Sequence, residues 1–140
     1  MEITIPKGNM PEDIKTRKKI IGDFYAKWIA AHPDKKIWNN DLRAFIHVKY
    51  LSINETKGHA SGTYQSTKAV FRLTEILEKA TLVDEKIRKQ EDNNQKAFSK
   101  ILVMKHQNIK LTIGYQPSKG QYVQYCITIP GVRMHKKKAA

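Results

Sequence analysis

The segment GHASGTYQSTK, residues 58–68, places a histidine beside small and hydroxyl residues just ahead of a helical pattern. Free backbone N–H groups at a helix N-terminus attract anions, and an imidazole or a hydroxyl can bind a phosphate oxygen there. This pattern predicts a phosphate site at a helix entrance, with His59 as its titratable group. An ordinary capping segment with a surface histidine is the competing interpretation.

Metal-independent RNA cleavage is the chemistry that such a site could support. It needs a base for the 2′-hydroxyl proton, an acid for the leaving 5′-oxygen and donors for the charge that develops on phosphorus. His59 is the candidate base or acid, with Lys110 or Arg72 as the cation, and Thr112 or Gln124 would hold a phosphate oxygen. The predicted catalytic residues are therefore His59, Lys110, Thr112 and Gln124, and the predicted nucleic-acid contacts are Ser61, Lys68, Arg72, Lys100 and Tyr122.

Motifs for binding a metal or a cofactor are missing from the sequence. The five histidines show no HxH or HExxH spacing, and the single cysteine, Cys126, cannot build a zinc knuckle. No Walker motif and no GxGxxG segment occurs either. We therefore expect neither a metal nor a cofactor.

The charge of the chain points to a polyanionic partner. There are 26 Lys and Arg residues against 13 Asp and Glu, which gives a formal net charge of +13. Such an excess attracts nucleic acid, and we expect RNA in preference to DNA; an acidic protein partner is the alternative. A lone cysteine is typical of a reducing cytoplasm, and no apolar run approaches the roughly 20 residues of a membrane helix. We therefore expect a cytoplasmic protein that does not bind membranes.

The first third of the chain predicts one clear helix. Apolar residues recur at helical spacing from Pro11 to about Pro33, and Arg17 falls among the lysines of the basic face. From Asp34 to Ile53, aromatic and β-branched residues alternate with polar ones. This favours a short strand or irregular structure over a helix that begins at Asn40.

The middle of the chain predicts two short helices and a loop. Ser61 or Thr63 can cap the first of these helices, and a bend is expected near residues 72–74. Residues 84–96 are almost without apolar side chains and are predicted to form an exposed loop.

The C-terminal third changes to the period of a strand. Three runs separated by turn residues predict an antiparallel meander, at residues 98–107, 109–115 and 121–129. One face of the meander should pack on helices, and the other should present the polar residues Lys110, Thr112, Tyr122 and Gln124.

These elements predict an α+β fold in which N-terminal helices precede an antiparallel β-meander packed on helices. We interpret residues 1–135 as one basic domain. Its parts are an N-terminal helical extension (1–55) and a core (56–129), and residues 130–140 are predicted separately as a flexible basic tail.

A resemblance to a known group covers residues 56–129. The runs GHASGTYQSTKAVFRLTEILEKATLV and FSKILVMKHQNIKLTIGYQPSKGQYVQYCIT resemble small phage and mobile-element domains placed among the barnase, EndoU, colicin and RelE-like nucleases. The resemblance implies a helix packed on a four-stranded antiparallel sheet and, in some members, metal-independent ribonuclease activity. His59, Lys110 and Thr112 match that group's functional residues by type of position.

Two functions follow from the sequence. One is a small basic protein that interacts with nucleic acid and acts as a metal-independent ribonuclease of phage or mobile-element origin. The alternative is a non-catalytic nucleic-acid-binding, inhibitory or adaptor protein on the same scaffold.

Overall fold

The structure, a computed structural model, describes residues 4–87 and 97–130. Within those residues, helices pack on a six-stranded, mostly antiparallel sheet, which confirms the predicted α+β class. The elements are α1 (Pro11–Ala31), β1 (Lys36–Asn39), β2 (Ala44–His47), α2 (Tyr50–Ala60), α3 (Tyr64–Val70), α4 (Leu73–Lys79), β3 (Thr81–Ile87), β4 (Lys100–His106), β5 (Ile109–Gln116) and β6 (Gln121–Thr128).

The strands lie in the order β1-β2-β6-β5-β4-β3. The predicted meander is confirmed as β4, β5 and β6, and its two turns contain the positive-φ residues Gln107 and Gly120. The β1–β2 hairpin joins the sheet through a short parallel contact with β6, in which Ile46 pairs with Tyr122 and His47 with Val123.

The segment from Asp34 to Ile53 is more regular than predicted. It contains β1, β2 and the start of α2, and this helix begins at Tyr50 rather than at Asn40. A tertiary contact stabilises its first turn, because Ser52 Oγ accepts a hydrogen bond from the Lys49 N–H at 2.9 Å and donates one to the Gln124 carbonyl at 2.5 Å. Lys49 is close to Ser52 in the sequence, whereas Gln124 is 72 positions away, so local sequence patterns do not reveal this second contact.

Helix α1 contributes Ile21, Tyr25 and Trp28 to the main core. The prediction that Arg17 lies on the basic face is wrong, because its side chain is completely buried. Its guanidinium donates to the carbonyls of Ser61 (2.7 Å), Pro6 (2.8 Å) and Gly8 (2.8 Å). Arg17 therefore connects the N-terminal segment, α1 and the end of α2.

The sheet has an inner face toward the helices and an outer face that carries Lys110 and Thr112. At the opposite end of the outer face, a second apolar cluster covers the strands, formed by Phe98, Ile101, Val123 and Tyr125. Phe98 packs so closely that a Cβ atom added to Gly114 would lie 2.3 Å from its ring. Within the meander, the outer face is therefore apolar around this cluster and polar near the β4–β5 turn.

The expected loop at residues 84–96 begins later than predicted, because β3 continues to Ile87 through pairing with β4. Residues 88–96 of that loop lie outside the described part of the chain, as does the expected basic tail beyond residue 130. In the described ranges, no helix is both long and apolar enough to cross a membrane.

Candidate nucleic-acid interface

His59 does not lie at a helix entrance, contrary to the sequence prediction. It is in the last turn of α2, which continues through Gly58. Its side chain is 51% exposed and its Nε2 lies 3.3 Å from Glu55 Oε1, one helical turn earlier. The group that accompanies His59 is therefore a carboxylate on its own helix, not the N–H groups of a helix N-terminus.

The hydroxyl residues after His59 hold the fold together. Thr63 caps α3, as predicted, by accepting a hydrogen bond from the Ser66 N–H at 3.1 Å. Ser66 Oγ accepts from the Ile129 N–H, and Thr67 Oγ1 donates to the Ala60 carbonyl. Ser61 is completely buried. These hydroxyls therefore face the protein and do not form the predicted helix-entrance cluster around His59.

Lys110 and Thr112 lie on the outer face of β5, as predicted. A side-chain hydrogen bond joins Thr112 to Cys126, and the charges of Lys110 and Glu55 act on the same thiol. Burial raises the pKa of Cys126 to about 11, so it remains a protonated thiol at neutral pH. Two of the predicted catalytic residues, Lys110 and Thr112, therefore act on Cys126, and His59 is connected to this group only through its contact with Glu55.

Gln124 does not lie on the outer face, contrary to the sequence prediction. A β-bulge between Thr112 and Ile113 shifts the register, so Gln124 lies opposite Ile113 and points into the core. There it is completely buried, and its amide bonds the hydroxyls of Tyr25 and Thr56, each at 2.8 Å. This position makes Gln124 a structural residue that a substrate cannot reach.

Two lysines lie directly opposite each other on the outer face. Lys105 on β4 pairs in register with Lys110 on β5, and Thr128 on β6 is the next residue across. Among the described residues, neither lysine forms an ion pair. Like charges at directly opposite positions destabilise a sheet. The pair therefore concentrates positive charge at this end of the outer face.

A small groove lies on the helix side of the same end of the sheet, where Asn108 of the β4–β5 turn meets α3, and neither Lys105 nor Lys110 lines it. It has a volume of about 140 Å³, and its polar lining consists of Gln65, Lys68, Arg72 and Asn108. Lys68 is exposed, whereas the Arg72 guanidinium contacts both oxygens of Glu75. Hydrogen bonds from Arg72 and then His106 lower the pKa of Glu75 to about 2. The groove is thus lined by Arg72, which is paired with a carboxylate, and by Lys68, which forms no ion pair among the described residues.

Lys100 and Tyr122 lie away from the groove and from Lys110. Lys100 pairs in register with Tyr115 and lies 3.5 Å from Glu85. Tyr122 packs on the main core, with its ring 5.1 Å from that of Tyr115. Lys100 is five residues from Lys105 along β4, or about 17 Å at the rise of a strand. The predicted nucleic-acid contacts therefore do not form one continuous site.

The sequence prediction missed an exposed aromatic pair on the β1–β2 hairpin. Trp38 and Phe45 are cross-strand partners, with ring centroids 5.2 Å apart in an edge-to-face arrangement. The Lys36 ammonium lies 4.4 Å from the centre of the Phe45 ring. The alternation of residues 44–51 indicated a strand that contains Phe45, but residues 36–39 were not predicted to form the strand that pairs with it.

The described residues contain no group of three His, Cys, Asp or Glu side chains that could hold a metal ion. Residues 16–115, more than half of the chain, match the family model described as large polyvalent protein-associated domain 3. No curated protein and no solved structure matches the chain. The match supports the predicted association with phage or mobile-element proteins, whereas no comparison shows the barnase, EndoU, colicin and RelE-like nuclease superfamily. The matched segment runs from α1 to β5, and the chain belongs to the family of the large polyvalent protein-associated domain 3.

Proposed function

We propose that this protein binds nucleic acid, with RNA favoured over DNA, through the outer face of its sheet near the β4–β5 turn. The observation that carries the proposal is the Lys105–Lys110 pair, two directly opposed cations without a described acidic partner. A bound phosphate would relieve their repulsion and release counterions.

Neighbouring residues extend this binding surface. Lys68 and Arg72 line the groove on the helix side of the same turn, whose amides from Gln65 and Asn108 can donate hydrogen bonds to phosphate oxygens. The hydroxyl of Thr128 lies beside Lys110 in the register. A hydroxyl next to a phosphate-binding lysine can bond a ribose 2′-hydroxyl, which is the group that distinguishes RNA from DNA.

Charge removal at the lysine pair tests the proposal. We expect Lys105→Gln and Lys110→Gln each to weaken RNA binding and to reduce the slope of log affinity against log salt by about 1. Lys105→Gln should also raise the free energy of unfolding, by about 0.2–1 kcal/mol, because it removes a cross-strand repulsion. Fluorescence anisotropy over a salt series and urea unfolding measure the two effects.

The matched control is Lys19→Gln, since Lys19 is an exposed lysine paired with Asp23 on α1. Its salt slope should equal that of the wild type. Unchanged slopes in both Lys105→Gln and Lys110→Gln would contradict the proposed site.

Metal-independent RNA cleavage is the second candidate, and the His59–Glu55 pair is the observation that favours it. Glu55 can orient the imidazole, which takes the 2′-hydroxyl proton while that oxygen attacks phosphorus. The 5′-oxygen leaves with a proton from Lys110, which also stabilises the charge on the phosphate. Tyr122, a predicted nucleic-acid contact, does not supply this proton because it packs on the main core.

We expect the wild type to cleave RNA in EDTA and His59→Ala to lose activity by at least about 100-fold, the usual contribution of a general base. Glu55→Gln should reduce the rate less, because it disturbs only the orientation of His59. Circular dichroism verifies the fold of each variant. Full activity in His59→Ala would remove His59 from the mechanism, and no product at excess enzyme would exclude catalysis.

A further inference from the structure

We infer that the β1–β2 hairpin is a stacking platform for unpaired bases, so that the nucleic acid bound by this protein is single-stranded. The inference rests on the proposed function and adds the class of strand and a second contact surface. Its basis is the Trp38–Phe45 pair on the outer face of the sheet, together with Lys36.

The register of the hairpin places both rings on the outer face. Ile46 is completely buried in the main core, so its neighbour Phe45 must point to the opposite side of the strand. Trp38 lies directly across from Phe45 and shares that face. Trp38 is 45% exposed and Phe45 is 41% exposed, although large aromatic side chains ordinarily contribute to a core.

The charge around the pair favours a nucleic acid over an apolar partner. Lys36 lies over the Phe45 ring and is itself the cross-strand neighbour of His47. Burial, Lys49 and Lys36 all lower the pKa of His47, while Asp34 opposes them. Cations beside exposed rings are the combination with which proteins bind single strands, because bases stack on the rings and phosphates meet the cations.

Double-stranded nucleic acid does not fit this platform, since its bases are already stacked on one another. The platform and the Lys105–Lys110 pair lie on the same face, and strand spacing and rise put Phe45 and Lys110 about 20 Å apart. One single strand of a few nucleotides can therefore contact both surfaces, within the roughly 4–16 nucleotides of known single-strand sites.

Binding of the full chain to an oligouridine of about 12 nucleotides tests the inference, with an abasic strand of equal length and a duplex as comparisons. We expect Trp38→Ala to weaken oligouridine binding on the order of 10- to 100-fold and to leave abasic-strand binding unchanged. Trp38→Phe should retain most of the affinity because it keeps a ring. Tyr50→Ala is the matched control, since Tyr50 is a 77% exposed aromatic residue outside the pair.

Three results would overturn the inference, and they are distinguishable. Oligouridine binding that weakens in Lys105→Gln but not in Trp38→Ala would reject the platform and keep the proposed function. Absence of binding to any strand at low salt would reject both. If Trp38→Ala leaves oligouridine affinity intact but converts a wild-type dimer to a monomer in sedimentation, the aromatic pair is a protein–protein contact.

Discussion

Arg17→Ala is expected to lower the free energy of unfolding by about 3–5 kcal/mol, the largest effect of any single substitution that we propose. The substitution removes three hydrogen bonds from a charged donor to main-chain carbonyls. The buried Ser61 carbonyl loses its hydrogen-bond donor, and a cavity forms in place of a completely buried side chain. Residues Pro6 and Gly8 also lose their attachment to α1.

Urea unfolding followed by circular dichroism measures this effect. Lys18→Ala, on an exposed neighbour in the same helix, should change stability by no more than about 0.5 kcal/mol. Arg17→Lys keeps the charge but cannot reproduce the planar donor geometry, so it should also be strongly destabilising. Equal stabilities of Arg17→Ala and Lys18→Ala would show that the buried guanidinium contributes nothing.

Gln124→Leu is expected to lower the free energy of unfolding by about 2–3 kcal/mol, because buried polar groups lose their partners. The Gln124 amide bonds both Tyr25 and Thr56 at 2.8 Å, and these two hydroxyls are 3.4 Å from each other. Gln65→Leu, on the exposed surface of α3, is the control and should be nearly neutral. The Tyr25→Phe and Gln124→Leu changes should be non-additive, since they act on one network. Additive losses would contradict a shared network.

The same network predicts that the free energy of unfolding decreases at alkaline pH. Burial raises the pKa of Tyr25 from 10.0 to about 12. The unfolded state therefore ionises first, and stability is lost as the pH rises from about 10 to 12, by up to about 3 kcal/mol. Tyr25→Phe lacks this phenol, so the stability difference between wild type and variant should narrow over that window. A constant difference would contradict the raised pKa.

Sequence patterns predicted most of the fold because the relevant signals are local. The runs that became β4, β5 and β6 alternate with period 2 and are separated by turn residues, and Thr63 caps α3. Helix α2 was missed because its apolar pattern is weak and Gly58 resembles a helix break. It is stabilised instead by contacts such as that of Ser52 with Gln124.

The candidate site was predictable by residue type but not by arrangement. Lys110 and Thr112 were placed on the correct face because an unbroken strand alternates faces. The β-bulge between Thr112 and Ile113 shifts the inward–outward alternation of β6 by one residue. Gln124 therefore points into the core instead of onto the outer face. The Lys105–Lys110 pair and the Trp38–Phe45 pair depend on strand register, which the sequence leaves open.

The α+β class, the meander, the excess of positive charge and the outward direction of Lys110 and Thr112 were predictable from the sequence, because neighbouring residues suffice for these features. The burial of Arg17 and Gln124, the pairing of His59 with Glu55 at the end of a helix and the opposition of two lysines depend on tertiary contacts. Arg17 meets Ser61 44 positions away, and Tyr25 meets Gln124 99 positions away. Burial of a polar side chain depends on such distant partners, since only their hydrogen bonds offset the cost of its desolvation.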